Sequence, residues 1–416
     1  MRILWVKANK ILPVHSGGDL RSFHVLRELA QRHELKFLSY YDGPADAGYE
    51  KELAERLPGA VCVSAGRKKS SVARGLDYLA HALEEAPYAV SRFGSAKVRE
   101  KLKDCLRDWR PDVAVCDFLD AAINFPEPLT IPAVLFQHNV ESEIWRRHAE
   151  TESNPVKRLV YGWEYRRILA YEKAAVRKFQ HVISVSEHDR ELMSRWVDGA
   201  RVTVVPTGVD LAQYAPDGGG REPEPLVIFT GAMDWEPNID AMEYMCREIW
   251  PLVTSRVAAA RLRIVGRNPG RRVRSLASDS VEVTGRVPSM VEHLREVAVV
   301  VVPLRVGGGT RLKIYEAMAA GKVVVSTSVG AEGLDVHPGR DIVLADSAKD
   351  FADAVVALLQ DGALRRSYER EAAGLAAKCG WPAVGKKFEA VLERVAGVKS
   401  GTTGDFAPAT AQAGRE

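Results

Sequence analysis

Residues 301–327, VVPLRVGGGTRLKIYEAMAAGKVVVST, constrain this chain more than any other segment. An apolar run over 297–302 predicts a buried strand. Three consecutive glycines follow (Gly307, Gly308, Gly309), then a helix over 310–320 and a second β-branched strand over 323–326. A glycine-rich loop at a helix N-terminus presents bare N–H groups at the positive end of the dipole. Glycine also lets the backbone approach a ligand closely, so a phosphate-bearing molecule fits there. Glu316 lies about two turns into the helix, within a short reach of ribose hydroxyls, and small residues (Ala317, Ala319, Ala320) permit close packing behind it. The same residues also suit a plain turn followed by a solvated helix acid, because the glycine spacing matches neither the P-loop nor the dinucleotide fingerprint.

A chain of 416 residues exceeds one comfortable hydrophobic core, which predicts two domains. With 46% hydrophobic and 27% charged residues, the composition is that of an ordinary globular protein. A net charge of +3 is too small to imply nucleic acid. Cys62, Cys105, Cys116, Cys246 and Cys379 are scattered and form no CxxC, which predicts reduced thiols and neither a disulfide framework nor a zinc site. The N-terminal MRILWVKANK is too short and too soon polar for a signal peptide, and no apolar run approaches the ~18 residues of a membrane span. A cytoplasmic location is expected, and a disordered tail over 399–416.

Strands and helices alternate. The first half predicts strands at 2–6, 35–40, 60–63, 113–116, 133–136, 181–185 and 202–205, with helices at 18–32, through parts of 70–108, and a long one at 155–179. Pro206, Gly208, Pro216 and the glycines at 218–220 mark a breaker-rich connection. A second series then follows, with strands at 226–230, 262–265, 281–284, 297–302, 323–326 and 342–344. Its helices are expected at 238–249, 288–296, 310–320, 347–360, 363–378 and 382–397. The pattern predicts two doubly wound α/β domains, 1–206 and 224–380, joined by a linker at 207–223 and followed by a C-terminal helix at 381–398. Ligands of such sheets bind at the carboxyl ends of the strands, so two facing sheets create a cleft.

The landmarks occur in a telling order. A GG pair follows the first strand, then come FQHNVES, VISVSEHDRELM, VVPTGVDLAQY, FTGAMDWEPN and EAMAAGKVVVSTSVGAEGL. The chain resembles glycosyltransferase family 4, and within it the bacterial sugar transferases of exosortase-associated exopolysaccharide loci, over roughly residues 1–395. The resemblance implies the GT-B fold: two Rossmann-like domains, the first holding the acceptor and the second a nucleotide-diphosphate sugar donor. It further implies a retaining transfer to a glycan or lipid-linked acceptor, with no obligatory enzyme nucleophile and a leaving phosphate able to take the acceptor proton. Catalysis then rests on positioning and charge stabilisation.

In that family two glutamates seven residues apart bracket the donor. The second is Glu316 here, but Gly308 stands at the first. The family's diphosphate-neutralising Arg and Lys are replaced by Ala232 and Asn238. Arg311 and Lys313 are the nearest substitutes, since a cation at a helix N-terminus opposes the dipole unless an anion joins it. At i and i+2 they do not share a face. Arg267 is a further candidate cation. His138, at the carboxyl end of the strand AVLFQ, is implied to face the transferred sugar, and otherwise is a surface loop residue. The catalytic set is therefore His138, Arg311 and Lys313. The donor-binding set is Gly17, Gly18, Arg286, Val287, Gly308, Gly309, Thr310, Arg311, Leu312 and Glu316, with backbone groups of the 286–287 loop pairing the base edge. Asn139 and Glu141 either contact sugar or acceptor or cap the next helix. Asp19 is equally a first-turn acid, Asp210 a brace of the connection, and Glu332 either structural or near the donor sugar. No DxD follows a strand and no ligand spacing recurs, so neither a metal nor a cofactor is expected.

Residues 155–179 carry Lys157, Arg158, Arg166, Arg167, Lys173, Arg177 and Lys178 against Glu164 and Glu172, with Tyr161, Trp163 and Tyr165 among them. Such a helix is either a solvated face or a peripheral contact with the anionic inner membrane, and 67–74 adds a second basic run. Two competing functions stay open. One is a catalytically inactive nucleotide-sugar-binding scaffold, motivated by Gly308, Ala232 and Asn238. The other is a GT-B relative such as an epimerase or phosphorylase.

Overall fold

A computed structural model describes residues 1–14, 16–66, 86–152, 154–215, 224–306 and 312–397. Two parallel sheets organise it. The first comprises β1 (Arg2–Ala8), β2 (Glu34–Asp42), β3 (Ala60–Gly66), β4 (Val113–Asp117), β5 (Ala133–Phe136), β6 (His181–Ser184) and β7 (Val202–Val204), in the order β3-β2-β1-β4-β5-β6-β7. The second comprises β8 (Leu226–Thr230), β9 (Arg261–Val265), β10 (Val281–Gly285), β11 (Val299–Val302), β12 (Val323–Ser326) and β13 (Val343–Leu344), in the order β10-β9-β8-β11-β12-β13. Each order reverses once, between β1 and β4 and between β8 and β11. Those reversals open a crevice beyond the strands' carboxyl ends.

Burial on both faces explains the apolar strands. In β1, Ile3 and Trp5 pack into one layer while Leu4 and Val6 pack into the other, as the period of two requires. The first layer is closed by the helix Gly17–Ala30 and by the C-terminal helix Trp381–Ala396. That last helix follows the second sheet in sequence, yet packs on the first. Phe388 stacks on Trp5 at 5.3 Å and meets Phe136 edge-on at 4.9 Å. The second sheet is enclosed by helices including Glu236–Tyr244, Ala348–Gln360 and Gly362–Ala376.

The helix expected at 238–249 begins at Glu236 and widens into a π turn at Met245–Ile249 before continuing as Trp250–Thr254. Pro251 has no N–H to donate and its ring crowds the preceding turn, which the wider turn accommodates. A helix at Ala47–Arg56 was not among the expected elements; the Asp46 side chain caps it by accepting from Tyr49 N. The tail at 399–416, the basic run 67–74 and the linker residues 216–223 lie outside the described residues. Replacing Phe388 by Ala should cost about 3–5 kcal/mol, the range for a buried aromatic. Denaturant unfolding checks this, and a cost below about 1 kcal/mol would mean that the helix is dispensable to the first layer.

Candidate active site

Four charged side chains meet beyond β1 and β4. Lys7 is the penultimate residue of β1 and is buried; Asp117 ends β4 and is fully buried. The Lys7 ammonium lies 3.7 Å from Asp117 and 3.4 Å from Asp19. Trp5 Nε1 donates to Asp117 Oδ2 at 2.9 Å. Burial works against the Asp117 charge, yet Lys7 and the His138 hydrogen bond hold its pKa down at about 2.

His138 sits beside this pair with 5% of its surface exposed. Its Nε2 lies 2.7 Å from Asp117 Oδ1 and its Nδ1 lies 2.6 Å from Arg21 Nη1. Burial drives the imidazole pKa down to about 3, against the pull of Asp117. The ring is therefore neutral, and only one tautomer suits both neighbours: Nε2–H donates to Asp117 and Nδ1 accepts from Arg21. Arg21 also donates from Nε to Thr207 Oγ1 at 2.8 Å, which ties the network to the connection between the sheets. Burial lowers the Arg21 pKa to about 10, and Asp117 and Asp189 offset part of that.

Phe118 covers the assembly. Its ring stacks on His138 at 3.7 Å and 8°, and the Lys7 ammonium lies 4.2 Å from its centroid. Its φ of 68° is a left-handed conformation that a side chain of this size rarely adopts, a strain of the kind held only by surrounding contacts. Here Gly18 serves the ring: a Cβ at that position would lie 2.4 Å from Phe118 Cζ. A Cβ at Gly17 would meet only Leu312 Cδ1 of the second half, at 3.5 Å, so the two halves approach each other there. Ser16 caps the helix by accepting from Asp19 N, and Asp19 pairs with Lys7.

The loop after β5 is anchored from outside. Glu172, in the long helix Pro155–Lys178, accepts from Gln137 Nε2, Glu141 N, Ser142 N and Ser142 Oγ at 2.6–3.1 Å. It therefore caps the helix Glu141–Thr151, whose Val140 N-cap position offers no side-chain cap. Burial pushes the Glu172 pKa to about 7. Asn139 does not cap; its amide donates to Glu141 Oε1 at 2.9 Å. Glu141 is pushed to about 8 by burial and by the neighbouring Asp120 and Glu172.

In the second half, Gly308, Gly309, Thr310 and Arg311 lie outside the described residues. The helix Leu312–Ala319 carries the rest. Lys313 Nζ donates to Asn238 Oδ1 at 3.2 Å and lies 4.1 Å from the Phe229 ring centroid, at the carboxyl end of β8. A Cβ at Gly231 would come within 2.8 Å of that ammonium and 2.7 Å of Asn238 Nδ2, so glycine is needed where they converge. Lys313 thus brings a cation beside Asn238, the position at which the family resemblance implies a lysine. Glu316, three residues on, shares its helix face. Burial raises the Glu316 pKa, while a hydrogen bond from Tyr214 and the charge of Lys313 hold it back. Arg286 is exposed and Val287 half-buried just beyond β10, and Arg267 is exposed after β9. Asp210 caps its own turn by accepting from Ala212 N and Gln213 N, and Glu332 lies 3.5 Å from Arg147 of the first half.

Sequence reasoning missed Lys7, Asp117, Arg21, Phe118 and Tyr214. For Lys7 and Asp117 the signal was present, as a charge ending each of two apolar strands, ILWVK and VAVCD.

Two family models match in succession. Glycosyltransferase Family 4 matches residues 17–213 and Glycosyl transferases group 1 matches 224–361, between them most of the chain. The phosphatidyl-myo-inositol mannosyltransferase of Mycolicibacterium smegmatis is 29% identical over 222 residues, 50% of this chain and 56% of that protein. The chain spans about half the length of the curated relatives of this kind that it matches. Among solved structures, sucrose-phosphate synthase from Thermosynechococcus elongatus aligns with a TM-score of 0.70 at 17% identity, covering 96% of this chain and 100% of that one. Anabaena HepE in complex with UDP aligns with a TM-score of 0.66 at 14% identity, covering 95% and 100%. The fold is the GT-B fold, two Rossmann-like domains across a cleft. The chain belongs to the family 4 group of glycosyltransferases.

The neutral, buried His138 has a pH consequence. The unfolded chain binds a proton below the free value of 6.5, whereas the fold resists it until about 3. The unfolded state thus gains protons as pH falls through this window, and stability is lost there. His138→Asn should flatten the loss between about pH 7 and about pH 5 by up to ~1.4 kcal/mol per pH unit. Unfolding free energies measured at both values check this; parallel slopes in the two proteins would show that His138 is charged in the fold.

Proposed function

We propose that this protein is a retaining glycosyltransferase. It moves a sugar from a nucleotide-diphosphate donor to a glycan or lipid-linked acceptor in cell-surface or exopolysaccharide synthesis. The observation that carries the reading is the pairing of Lys313 and Glu316 on one helix face, with Lys313 delivered to Gly231 and Asn238 at the sheet's reversal. A fixed ammonium at that position offsets the charge that grows on a departing diphosphate, without reorganisation during the reaction. Glu316 suits ribose hydroxyls, for which it would exchange its Tyr214 partner. Arg311, Gly308, Gly309 and Thr310 complete the donor loop in this reading, and Arg286 and Val287 flank the base.

His138 acts in this reading as a neutral, oriented group of the opposite wall, its tautomer set by Asp117 and Arg21. Phe118 and Gly18 close the same wall. No protein nucleophile is required, because the acceptor hydroxyl attacks the face that the phosphate leaves. The UDP bound to HepE supports a nucleoside-diphosphate ligand, and the phosphatidylinositol named in the mannosyltransferase relative supports an acceptor held at a membrane. The protein then works on the cytoplasmic side, in peripheral contact with the inner membrane.

Thermal-shift titration with UDP, GDP and ADP, with and without EDTA, tests the reading. One diphosphate should give a saturable shift insensitive to EDTA. Lys313→Ala should weaken that nucleotide about 10–100-fold, a loss of ~1.4–3 kcal/mol for a charge-assisted contact, with Lys313→Arg restoring part of it. Wild-type affinity in Lys313→Ala removes Lys313 from the site, and no shift with any diphosphate removes the donor assignment.

A further inference from the structure

The long helix Pro155–Lys178 divides into two parts. Its C-terminal part is structural: Ile168, Glu172, Ala175 and Val176 are buried, and Lys178 Nζ donates to Phe125 O at 3.0 Å. Tyr161 turns inward onto Trp145 at 6.0 Å and His148 at 5.8 Å. The N-terminal part is different. Every residue from Asn154 to Val160 is exposed, so this end of the helix stands clear of the body. Val156 is 68% exposed, Leu159 76%, Val160 41% and Trp163 39%.

These four occupy positions i, i+3, i+4 and i+7 and therefore form one continuous stripe. An exposed apolar stripe of this length on a monomer marks an interaction surface. Lys157 and Arg166, both exposed, lie on either side of it, whereas the acid of this part, Glu164, is buried and sits 3.6 Å from Arg167. The flanks are consequently positive. The exposed stripe is thus built by aliphatic residues and Trp163, with Tyr161 turned away from it.

We infer that the stripe Val156–Leu159–Val160–Trp163 docks on an anionic lipid surface, inserting its apolar side chains while the flanking cations meet the headgroups. Charge complementarity selects this occupant. A two-fold contact between copies would set the same positive flanks against each other, which an anionic surface avoids. Among the described residues no helix is long and apolar enough to cross a membrane, so the contact is interfacial. The helix Glu141–Thr151 links the docking tip to the cleft: it begins beside His138 and carries Arg147, which faces Glu332 of the other half. Docking would therefore hold the acceptor side of the cleft near the bilayer. This orientation rests on the lipid-linked acceptor proposed above; the docking itself does not.

Co-sedimentation of the full chain with vesicles tests the inference. Vesicles of phosphatidylcholine alone are compared with equal parts phosphatidylcholine and phosphatidylglycerol. The protein should sediment with the anionic vesicles only, and less so in about 0.5 M salt. Leu159→Glu should lower the partition coefficient about tenfold or more, and Lys157→Glu/Arg166→Glu by a similar factor. Both changes fall on exposed residues, so the melting temperature and the diphosphate shift should remain those of the wild type. Absence of vesicle binding by the wild type overturns the inference, as does undiminished binding by Leu159→Glu. Concentration-dependent dimerisation that Leu159→Glu abolishes also overturns it, in favour of a second copy. The diphosphate shift is read on the same samples, so failure of the transferase reading and failure of the docking are seen separately.

Discussion

A parallel sheet covered on both faces leaves polar chemistry one place to go, the carboxyl ends of its strands. Both sheets of this protein obey that constraint, and everything functional follows from where each sheet reverses. In the first, Lys7 and Asp117 face each other at the carboxyl ends of neighbouring strands, β1 and β4, on either side of the reversal. In the second, Gly231 follows β8 and the Lys313 helix follows β11, again on either side of it. A charge placed in the middle of β1, β4, β8 or β11 would sit inside an apolar layer without a partner.

The first site shows how a buried carboxylate is made tolerable. Asp117 is surrounded by a cation, an indole N–H and an imidazole N–H, so its oxygens are satisfied and its charge is offset. Its presence then fixes the His138 tautomer, which in turn leaves Nδ1 to Arg21. Because Arg21 also grips Thr207, the orientation of His138 is coupled to the segment that joins the two sheets. The strained backbone of Phe118 belongs to the same arrangement. Its ring is held by His138 on one side and by the absence of a Cβ at Gly18 on the other.

The strands and most helices were legible because each carries its own period and its own stop signals. The C-terminal helix was legible as a helix, but not as part of the first layer; no local feature of residues 381–396 announces Trp5 or Phe136. The same limit applied to the sites. His138 and Glu316 stood out by position and by resemblance, whereas their partners did not. Trp5 and Asp117, like Arg21 and His138, are separated by more than a hundred residues. Such pairs are created by topology, and a reading built on spacing along the chain reaches only neighbours within a few turns. The basic helix failed differently: composition identified it, but exposure decided that Tyr161 and Glu172 face inward and Leu159 outward.

In the donor site proposed above, spacing explains why Lys313, and not a residue after β8, supplies the cation. A lysine at position 238 would approach from the helix that follows β8, independently of the acid that suits the ribose. Lys313 is on the same helix as Glu316 and three residues away, so one rigid element sets the separation of the two charges. Asn238 then becomes the receiving group, fixed by its own donation to Ala232 O at 2.8 Å and accepting from the ammonium. In the donor-site reading proposed above, the cation at 313 is therefore an exchange, across the crevice, for the lysine that the family resemblance implies at 238. It is possible only because Gly231 leaves the space between them free of a side chain.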